Sequence, residues 1–379
     1  MTSFRVPFNK PWNSGQELSY VSEAVASGHL SGDGPFTRRC HEELERAFGL
    51  EHPLLTTSCT AALEMSALLL ALEPGDEVIM PSFTFVSTAN AFLIHGGVPI
   101  FVDIDRDTLN IDAHLIAERI TERTRAIVVV HYAGVACDMQ AIGAIAEAHG
   151  LMVIEDNAHG LGGSYQDRPL GSFGDLATLS FHETKNFTCG EGGALIVNNA
   201  SLRDRAEIIR EKGTDRSRFF RGEVAKYGWV DLGSSYLPSE ILAAYLLAQL
   251  EAKPTIQKNR EMIWHRYSDS LHEWAHVSSV VLPSIPGDRQ QAFHMFYMLM
   301  PSLKARTSLI EQLKERDILA VFHYLPLHLS IMGRKLGYSP GDCPVTEDIS
   351  DRLVRLPFYT GLTIDDQEAV IDAVTVSLA

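Results

Sequence analysis

Short apolar segments alternate with helical patterns from residue 54 to residue 197, and this alternation limits the possible folds more than any other feature. The segments at 126–131 and 151–154 are rich in β-branched residues, which is typical of buried parallel strands. Between them, Asp138 caps and Gly150 ends a helical pattern. The alternation predicts a mostly parallel sheet that is covered on both faces, and residues 194–197 fit an antiparallel strand within it.

A second region begins after a cluster of turn residues at 283–287. It contains strand patterns at 295–300 and 320–323 and helical patterns at 306–315, 349–355 and 365–378. A long helical pattern at 256–274 connects the two regions. We therefore predict a large domain at residues 1–250, followed at 251–379 by the linking helix and a smaller C-terminal α/β domain.

Composition excludes several classes of protein. The formal net charge of −16 argues against general nucleic-acid binding, which needs a basic face. The five cysteines are scattered and lack metal-ligand spacing, which predicts a reduced, cytoplasmic protein without disulfides or structural zinc. The N-terminus has no apolar signal region, and the longest apolar stretches are too short to cross a bilayer, so we predict no membrane insertion.

One lysine stands in an unusual setting. Lys185 lies in the run Ser-Phe-His-Glu-Thr-Lys-Asn at 180–186, between two apolar segments. A lysine that forms a Schiff base with an aldehyde must be partly desolvated, because only the neutral amine is nucleophilic. We predict that Lys185 carries pyridoxal phosphate (PLP) and that Asp156 and Ser180, each at the C-terminal end of a predicted strand, hold the other ends of this cofactor.

The chemistry of PLP makes demands that can be checked residue by residue. The ring nitrogen needs a carboxylate, the phosphate needs hydroxyls and helix-start N–H groups, and one ring face needs an apolar cover. A histidine three residues after the carboxylate could reach the ring hydroxyl, and without a third ligand that pair predicts no metal site. The residues that meet these demands are Lys185, Asp156, His159, Ser180, Thr60, Ala61 and Phe85.

Cations concentrate in the segment 212–229 although the chain as a whole is acidic. A cluster of cations and aromatic rings suits a diphosphate with a stacked base. A solvated basic loop and a subunit interface are equally good interpretations. The candidate substrate-binding residues in this segment are Lys212, Arg216, Arg218 and Tyr227.

The order and spacing of these motifs resemble those of a known family. Glu-Asp-x-x-His at 155–159, Ser-Phe-x-x-x-Lys at 180–185 and Gly-Glu-Gly-Gly at 190–193 are similar to the sugar-nucleotide aminotransferases of the DegT/DnrJ/StrS type, within PLP fold type I. The resemblance extends to a glycine-rich loop at 27–35 and to His-Tyr-Leu-Pro-Leu-His at 323–328. It implies a large seven-stranded domain with an N-terminal sugar-site segment, and a smaller C-terminal domain.

The resemblance also implies a reaction. L-Glutamate would leave its amine on the cofactor, and the 4-keto carbon of a dTDP-4-keto-6-deoxyhexose would collect it. The runs at 81–90, 131–137 and 181–186 are most similar to the branch of the family that makes dTDP-4-amino-4,6-dideoxygalactose for enterobacterial common antigen. The alternative within the family is transfer to C-3, or to another nucleotide-linked ketosugar.

Further residue roles follow from the same resemblance. Lys185 would move protons between donor and cofactor, and His323 and Tyr324 would contact the substrate. Relatives are usually homodimers with shared active sites, in which an asparagine of the partner contacts the phosphate; here Ser235 would have to serve. His159 stands where many relatives have glutamine, and both can donate to the ring oxygen.

Other functions are disfavoured by missing features. A nicotinamide-dependent oxidoreductase predicts Gly-x-Gly-x-x-Gly after the first strand, which the chain lacks. A non-catalytic PLP-binding regulator would usually carry an appended DNA-binding module, and none fits in this acidic chain. Lys185 excludes the family members that have histidine at this position and perform dehydration.

Overall fold

The computed structural model describes residues 4–376. Its strands are β1 (Pro53–Thr56), β2 (Glu77–Pro81), β3 (Val98–Val102), β4 (Thr124–Val130), β5 (Met152–Asp156), β6 (Ser164–Tyr165), β7 (Arg168–Pro169), β8 (Leu176–Ser180), β9 (Gly193–Val197), β10 (Arg289–Gln290), β11 (Tyr297–Leu299), β12 (Val321–Phe322) and β13 (Leu353–Arg355). Its α-helices are α1 (Glu17–Ser27), α2 (Pro35–Phe48), α3 (Cys59–Leu70), α4 (Val86–Leu93), α5 (Ala113–Ile116), α6 (Met139–His149), α7 (Arg203–Arg210), α8 (Arg216–Phe220), α9 (Glu240–Glu251), α10 (Lys253–Val277), α11 (Leu303–Glu315), α12 (Ile331–Lys335), α13 (Pro344–Arg352) and α14 (Ile364–Val376). The predicted helix at 365–378 corresponds to α14, and its last two predicted residues lie outside the described part of the chain.

The large sheet has seven strands in the order β1-β9-β8-β5-β4-β2-β3. Strand β9 runs antiparallel to both of its neighbours, and the other pairs are parallel. The predicted mostly parallel sheet and its antiparallel strand at 194–197 are therefore confirmed. Because β5 and β8 are parallel neighbours, Asp156 and Ser180 end their strands at the same edge of the sheet.

Both faces of this sheet are buried, as the β-branched strands predict. Successive side chains of a strand point to opposite faces. Val128 accordingly belongs to one hydrophobic cluster, whereas Ile127 and Val129 belong to another, and all three are fully buried. Helices thus cover the sheet on both sides and leave its C-terminal edge as the place for a ligand.

The C-terminal region has its own three-stranded antiparallel sheet, in the order β11-β13-β12. The sequence predicted a helix at 349–355, which is wrong for its last three residues. Helix α13 ends at Arg352, and the chain continues as β13, where Val354 pairs with Met298 on one side and Phe322 on the other. Pairing with two strands that are distant in sequence overrides the local helical pattern.

The first described residues pack on the C-terminal region. The N–H of Val6 donates to the Asp317 carbonyl, and the N–H of Leu319 donates to the Val6 carbonyl. Val6 is fully buried in the cluster that contains Phe296 and Val354. The domain boundary at residue 250 remains a prediction. The N-terminal segment falls in the predicted large domain, yet it packs on the C-terminal region.

A buried carboxylate anchors the start of α2. The Glu240 side chain is fully buried and accepts hydrogen bonds from the N–H groups of Gly34, Phe36 and Thr37, at 3.1, 2.7 and 3.0 Å. These N–H groups lack partners within the helix. A negative charge at this end is also stabilised by the positive end of the helix dipole. Glu240 therefore links α9 to α2.

We expect Glu240→Gln to lower the free energy of unfolding by about 1–3 kcal/mol, because the amide loses the charge and turns a donor toward N–H donors. Urea unfolding followed by circular dichroism measures this change. Glu42→Gln, at an exposed position of α2, is the matched control and should stay within about 0.5 kcal/mol of the wild type. Equal stability of the two variants would contradict the anchoring role.

Candidate active site

A cavity of about 600 Å³ opens at the C-terminal edge of the large sheet, between this sheet and the C-terminal region. This volume lies in the range of pockets that hold small organic ligands. The predicted residues that line it are Thr60, Phe85, Asp156, His159, Ser180, Lys185, His323 and Tyr324. Side chains that are far apart in sequence thus meet in one cavity.

Lys185 presents its amine to this cavity. The turn that positions it closes through a hydrogen bond from the Lys185 N–H to the His182 carbonyl, at 2.9 Å. Burial lowers the pKa of the amine from 10.5 to about 8. The neutral amine, which is the state that attacks an aldehyde, is therefore far more populated near physiological pH than in an ordinary lysine.

Asp156 is the acid of the cavity. It is only 5% exposed, and it accepts hydrogen bonds from the Thr88 hydroxyl at 2.8 Å and from the Ala158 N–H at 3.3 Å. Burial raises the pKa of Asp156, while these two hydrogen bonds favour the charged form. Sequence reasoning missed Thr88, although the hydroxyl-rich run that contains it is visible in the chain.

The neighbouring carboxylate points to the opposite face of β5 and stabilises the strand end. Glu155 is fully buried and accepts hydrogen bonds from the N–H groups of Gly171, Phe173 and Gly174, at 2.7–2.8 Å. His131 Nδ1 accepts from the Cys137 N–H, so its Nε2 carries the proton that is donated to Glu155, at 2.8 Å. These contacts fix the backbone from which Asp156 projects.

His159 lies in the cavity as a neutral ring. Burial lowers the pKa of His159 well below its usual value. Its ring stacks on His294, with centroids 4.2 Å apart and planes 16° apart, and His294 Nδ1 in turn donates to the Asn186 side-chain oxygen at 2.9 Å. Within residues 4–376, the buried His159 Nδ1 has no hydrogen-bond partner. A ring hydroxyl of a bound cofactor would satisfy it.

Hydroxyl groups gather at the start of α3 and α4. Ser58, Thr60, Ser87 and Ser180 all line the cavity, and the Thr60 hydroxyl donates to Ser87 at 2.8 Å. This is the donor set that a phosphate needs beside a helix start. The N–H of Ala61 donates instead to the Ser58 hydroxyl at 3.0 Å, as part of the helix cap, and Ala61 does not line the cavity. Its predicted phosphate contact remains a prediction.

Phe85 has the position expected of a cover for a flat ring. Its side chain lines the cavity and is 57% exposed, so it does not belong to the hydrophobic core. Its centroid lies 6.4 Å from that of Tyr324, whose own ring lies 5.7 Å from that of Phe83. Together with the buried acid, the amine of lowered pKa, the unpaired imidazole nitrogen and the hydroxyls, Phe85 completes a set of residues that fits PLP.

The predicted cationic residues do not reach this cavity within one chain. Lys212, Arg216 and Ser235 line a second cavity of about 900 Å³. Lys212 and Arg216 both form ion pairs with Glu211, at 3.0 and 3.3 Å. Glu211 thus offsets one of the positive charges that the sequence of this segment shows.

Two further predicted substrate residues line neither cavity. Arg218 forms an ion pair with Glu223 at 3.1 Å. The Tyr227 ring packs edge-on against Phe219, with centroids 5.8 Å apart. Of the predicted substrate-binding residues, His323 and Tyr324 are the two that this chain brings to Lys185.

Within residues 4–376, no three His, Cys, Asp or Glu side chains form a group that could hold a metal ion. No helix in that range combines the length and the apolarity needed to cross a membrane.

Comparisons with known proteins agree with the geometry. The sequence profile of the DegT/DnrJ/EryC1/StrS aminotransferase family matches residues 12–375. SpsC, a spore coat polysaccharide biosynthesis protein of Bacillus subtilis, is 34% identical over 377 residues, which cover 97% of this chain and 96% of SpsC.

Solved structures show the same fold. The aminotransferase TlmJ from Streptoalloteichus hindustanus superposes with a TM-score of 0.89 at 29% identity, and 99% of each chain is covered. The sugar aminotransferase CalS13 from Micromonospora echinospora superposes with a TM-score of 0.88 at 26% identity, over 98% of this chain and 99% of CalS13.

The lowered pKa of Lys185 predicts the pH dependence of its reaction with PLP. We expect the rate at which cofactor-free protein captures PLP covalently to rise with pH up to about 8 and then to level off, because the amine is neutral above its pKa of about 8. Stopped-flow absorbance from pH 6 to pH 11 measures this rate, and Lys335→Ala, at an exposed lysine, is the control. A rate that still rises toward pH 10.5, the usual lysine value, would contradict the desolvated amine.

Proposed function

The chain belongs to the DegT/DnrJ/EryC1/StrS aminotransferase family, and from this premise we propose that it transfers the amine of L-glutamate to the 4-keto carbon of a dTDP-4-keto-6-deoxyhexose. The product would be dTDP-4-amino-4,6-dideoxygalactose. The chain has the fold of the PLP-dependent aminotransferases, and PLP is its cofactor. The observation that carries the proposal is the meeting of Lys185, Asp156 and His159 in one cavity.

Each residue of the cavity has a role that follows from its surroundings. PLP, when bound, supplies an electron sink that stabilises negative charge at the reacting carbon. Asp156 would keep a proton on the ring nitrogen, and the Thr88 hydroxyl orients that carboxylate by donating to it. Lys185 Nζ, with a pKa of about 8, takes up and returns a proton near neutral pH at little cost.

The remaining groups hold the cofactor in place. His159 is neutral, and its Nδ1, which has no hydrogen-bond partner within residues 4–376, would pair with the ring hydroxyl; its stacking on His294 fixes the plane of the imidazole. The hydroxyls at the start of α3 and α4 bind the phosphate. Phe85 covers one face of the ring and shields the reacting bonds from water.

The choice of the 4-keto carbon and of the galacto product rests on the sequence runs at 81–90, 131–137 and 181–186. His323 and Tyr324 are the residues of this chain that we assign to sugar contacts, since they form a wall of the cavity. A role in glycan synthesis, such as that of enterobacterial common antigen or lipopolysaccharide, belongs to the same proposal. So does a cytoplasmic location, which the five free cysteines support.

We also propose that the protein is a homodimer with shared sites. Ser235, Lys212 and Arg216 line a cavity separate from that of Lys185, so only a second copy could bring such residues to the cofactor. Ser235 would then contact the phosphate, and the cations would contact the sugar nucleotide.

The test is an NMR assignment of the product formed from synthetic dTDP-4-keto-6-deoxyglucose and ¹⁵N-labelled L-glutamate. We expect the label at C-4 with galacto configuration, and no product when glutamate is omitted. Failure with this ketosugar, together with turnover of the 3-keto isomer or of a UDP-linked ketosugar, would replace the proposed substrate by the alternative.

A further inference from the structure

A buried histidine joins the large sheet to the C-terminal region. His328 is fully buried in the 3₁₀ turn Leu327–Leu329, and its Nδ1 lies 2.7 Å from the hydroxyl oxygen of Ser82, the residue that follows β2. Its Nε2 lies 3.0 Å from a carboxylate oxygen of Glu347 in α13. Three elements that are distant in sequence therefore meet at this ring.

The donors and acceptors of this contact can be assigned from their partners. A carboxylate only accepts hydrogen bonds, so Nε2 of His328 carries the proton that is donated to Glu347. In the neutral ring Nδ1 then accepts, and its donor is the Ser82 hydroxyl. The same hydroxyl oxygen accepts from the His328 N–H at 3.2 Å. Ser82 and His328 thus satisfy each other.

An acid, a histidine and a serine in this order also occur in hydrolases, where the serine attacks a substrate. That role is excluded here, because the Ser82 side chain is fully buried and its oxygen is engaged with His328. Neither residue lines the cavity that contains Lys185. The contact therefore acts through the parts of the chain that it fixes.

The part of the C-terminal region that this contact fixes is residues 323–328. We call it the wall segment, because His323 and Tyr324 line the cavity. Strand β12 ends at Phe322, and residues 323–326 belong to no helix or strand. The place of the two cavity residues therefore depends on how the wall segment is anchored at its end.

That end is held by Ser82. The Leu327 N–H donates to the Ser82 carbonyl at 3.1 Å, in addition to the two hydrogen bonds between Ser82 and His328. Ser82 is itself anchored to the large sheet, because its N–H donates to the Val102 carbonyl of β3 at 3.2 Å. Loss of the His328 ring would therefore loosen the wall segment and leave Ser82 in place.

The residues that handle the amino donor do not depend on this contact. Lys185 is positioned by its own turn, and Asp156 is held by the Thr88 hydroxyl and the Ala158 N–H. A looser wall segment should therefore affect the residues that face the sugar and spare those that hold the cofactor.

We propose that His328 is a positioning residue for the ketosugar. It joins Ser82 to Glu347 and so holds His323 and Tyr324 where a sugar can contact them. This assignment rests on the proposed function, in which a ketosugar is the second substrate. It divides the reaction into transfer of the amine to the sugar, which needs His328, and uptake of the amine from glutamate, which does not.

Hydrogen exchange of the PLP-loaded protein, measured without substrate, tests the anchor directly. His328→Phe loses buried hydrogen bonds, which predicts roughly 10- to 100-fold faster exchange at the amides of 323–329. Peptides that contain 82–88 and 180–186 should exchange as in the wild type. His272→Phe, at an exposed histidine of α10, is the matched control. Unchanged exchange at 323–329 would overturn the assignment.

The two halves of the reaction separate positioning from general stability. The amine form of the protein, made with glutamate, returns to the PLP form with either 2-oxoglutarate or dTDP-4-keto-6-deoxyglucose, and visible absorbance follows both reactions. We expect His328→Phe to lose roughly 10- to 100-fold in kcat/KM for the ketosugar and to stay within about twofold of the wild type with 2-oxoglutarate. An equal loss with both acceptors would indicate a merely structural role and overturn the assignment.

Two milder variants decide the matter if His328→Phe does not fold. The amide oxygen of His328→Asn can accept from Ser82 in place of Nδ1, so this variant should lose less than about fivefold with the ketosugar. Ser82→Ala removes the same contact from the other side, and its loss should not add to that of His328→Phe. A folded Ser82→Ala protein that uses the ketosugar as well as the wild type would contradict the positioning role.

Failure of the proposed function gives a different result. A wild type that returns to the PLP form with 2-oxoglutarate, and leaves every dTDP-linked ketosugar unreacted, would refute the proposed substrate. The hydrogen-exchange measurement uses no substrate, so it would still decide whether His328 anchors the wall segment. The ketosugar that the wild type does accept would then replace the dTDP sugar in the comparison of the two halves.

Discussion

The structure depends on one electrostatic constraint: in the same partly dry cavity an amine must lose its proton readily and a carboxylate must stay charged. Burial alone makes the amine easier to deprotonate, since it lowers the pKa of Lys185 to about 8. Burial disfavours the charged carboxylate, since it raises the pKa of Asp156. The protein resolves the conflict with specific donors, because Thr88 and the Ala158 N–H stabilise the charge on Asp156.

Much of the surrounding structure serves to hold these groups still. Asp156 projects from a strand whose opposite face is fixed by Glu155, which has three N–H groups and His131 as partners. His159 is held by its stack on His294, and Arg260 holds the backbone on which His294 stands. The C-terminal region is therefore part of the active site, because it delivers His294, Tyr324 and Arg355 to residues of the large sheet.

The sequence predicts what depends on local pattern and strand order. β-Branched runs identify the buried strands, and parallel strand ends bring Asp156 and Ser180 to one edge. Contacts between distant elements are not visible in this way. The local pattern of β13 predicts helix, because the strand β12 with which it pairs lies more than thirty residues away in sequence. For the segment 212–229, the sequence shows the cations but not the ion pairs that Glu211 and Glu223 form with them in space.

The proposed chemistry requires that Lys185, and no other lysine, carries the cofactor. Borohydride reduction of the PLP-loaded protein followed by peptide mass spectrometry tests this most directly. The account predicts the reduced cofactor on the peptide that contains Lys185, and no labelled peptide from Lys185→Ala. Labelling at another lysine of the wild-type protein, or equal labelling of Lys185→Ala, would contradict it.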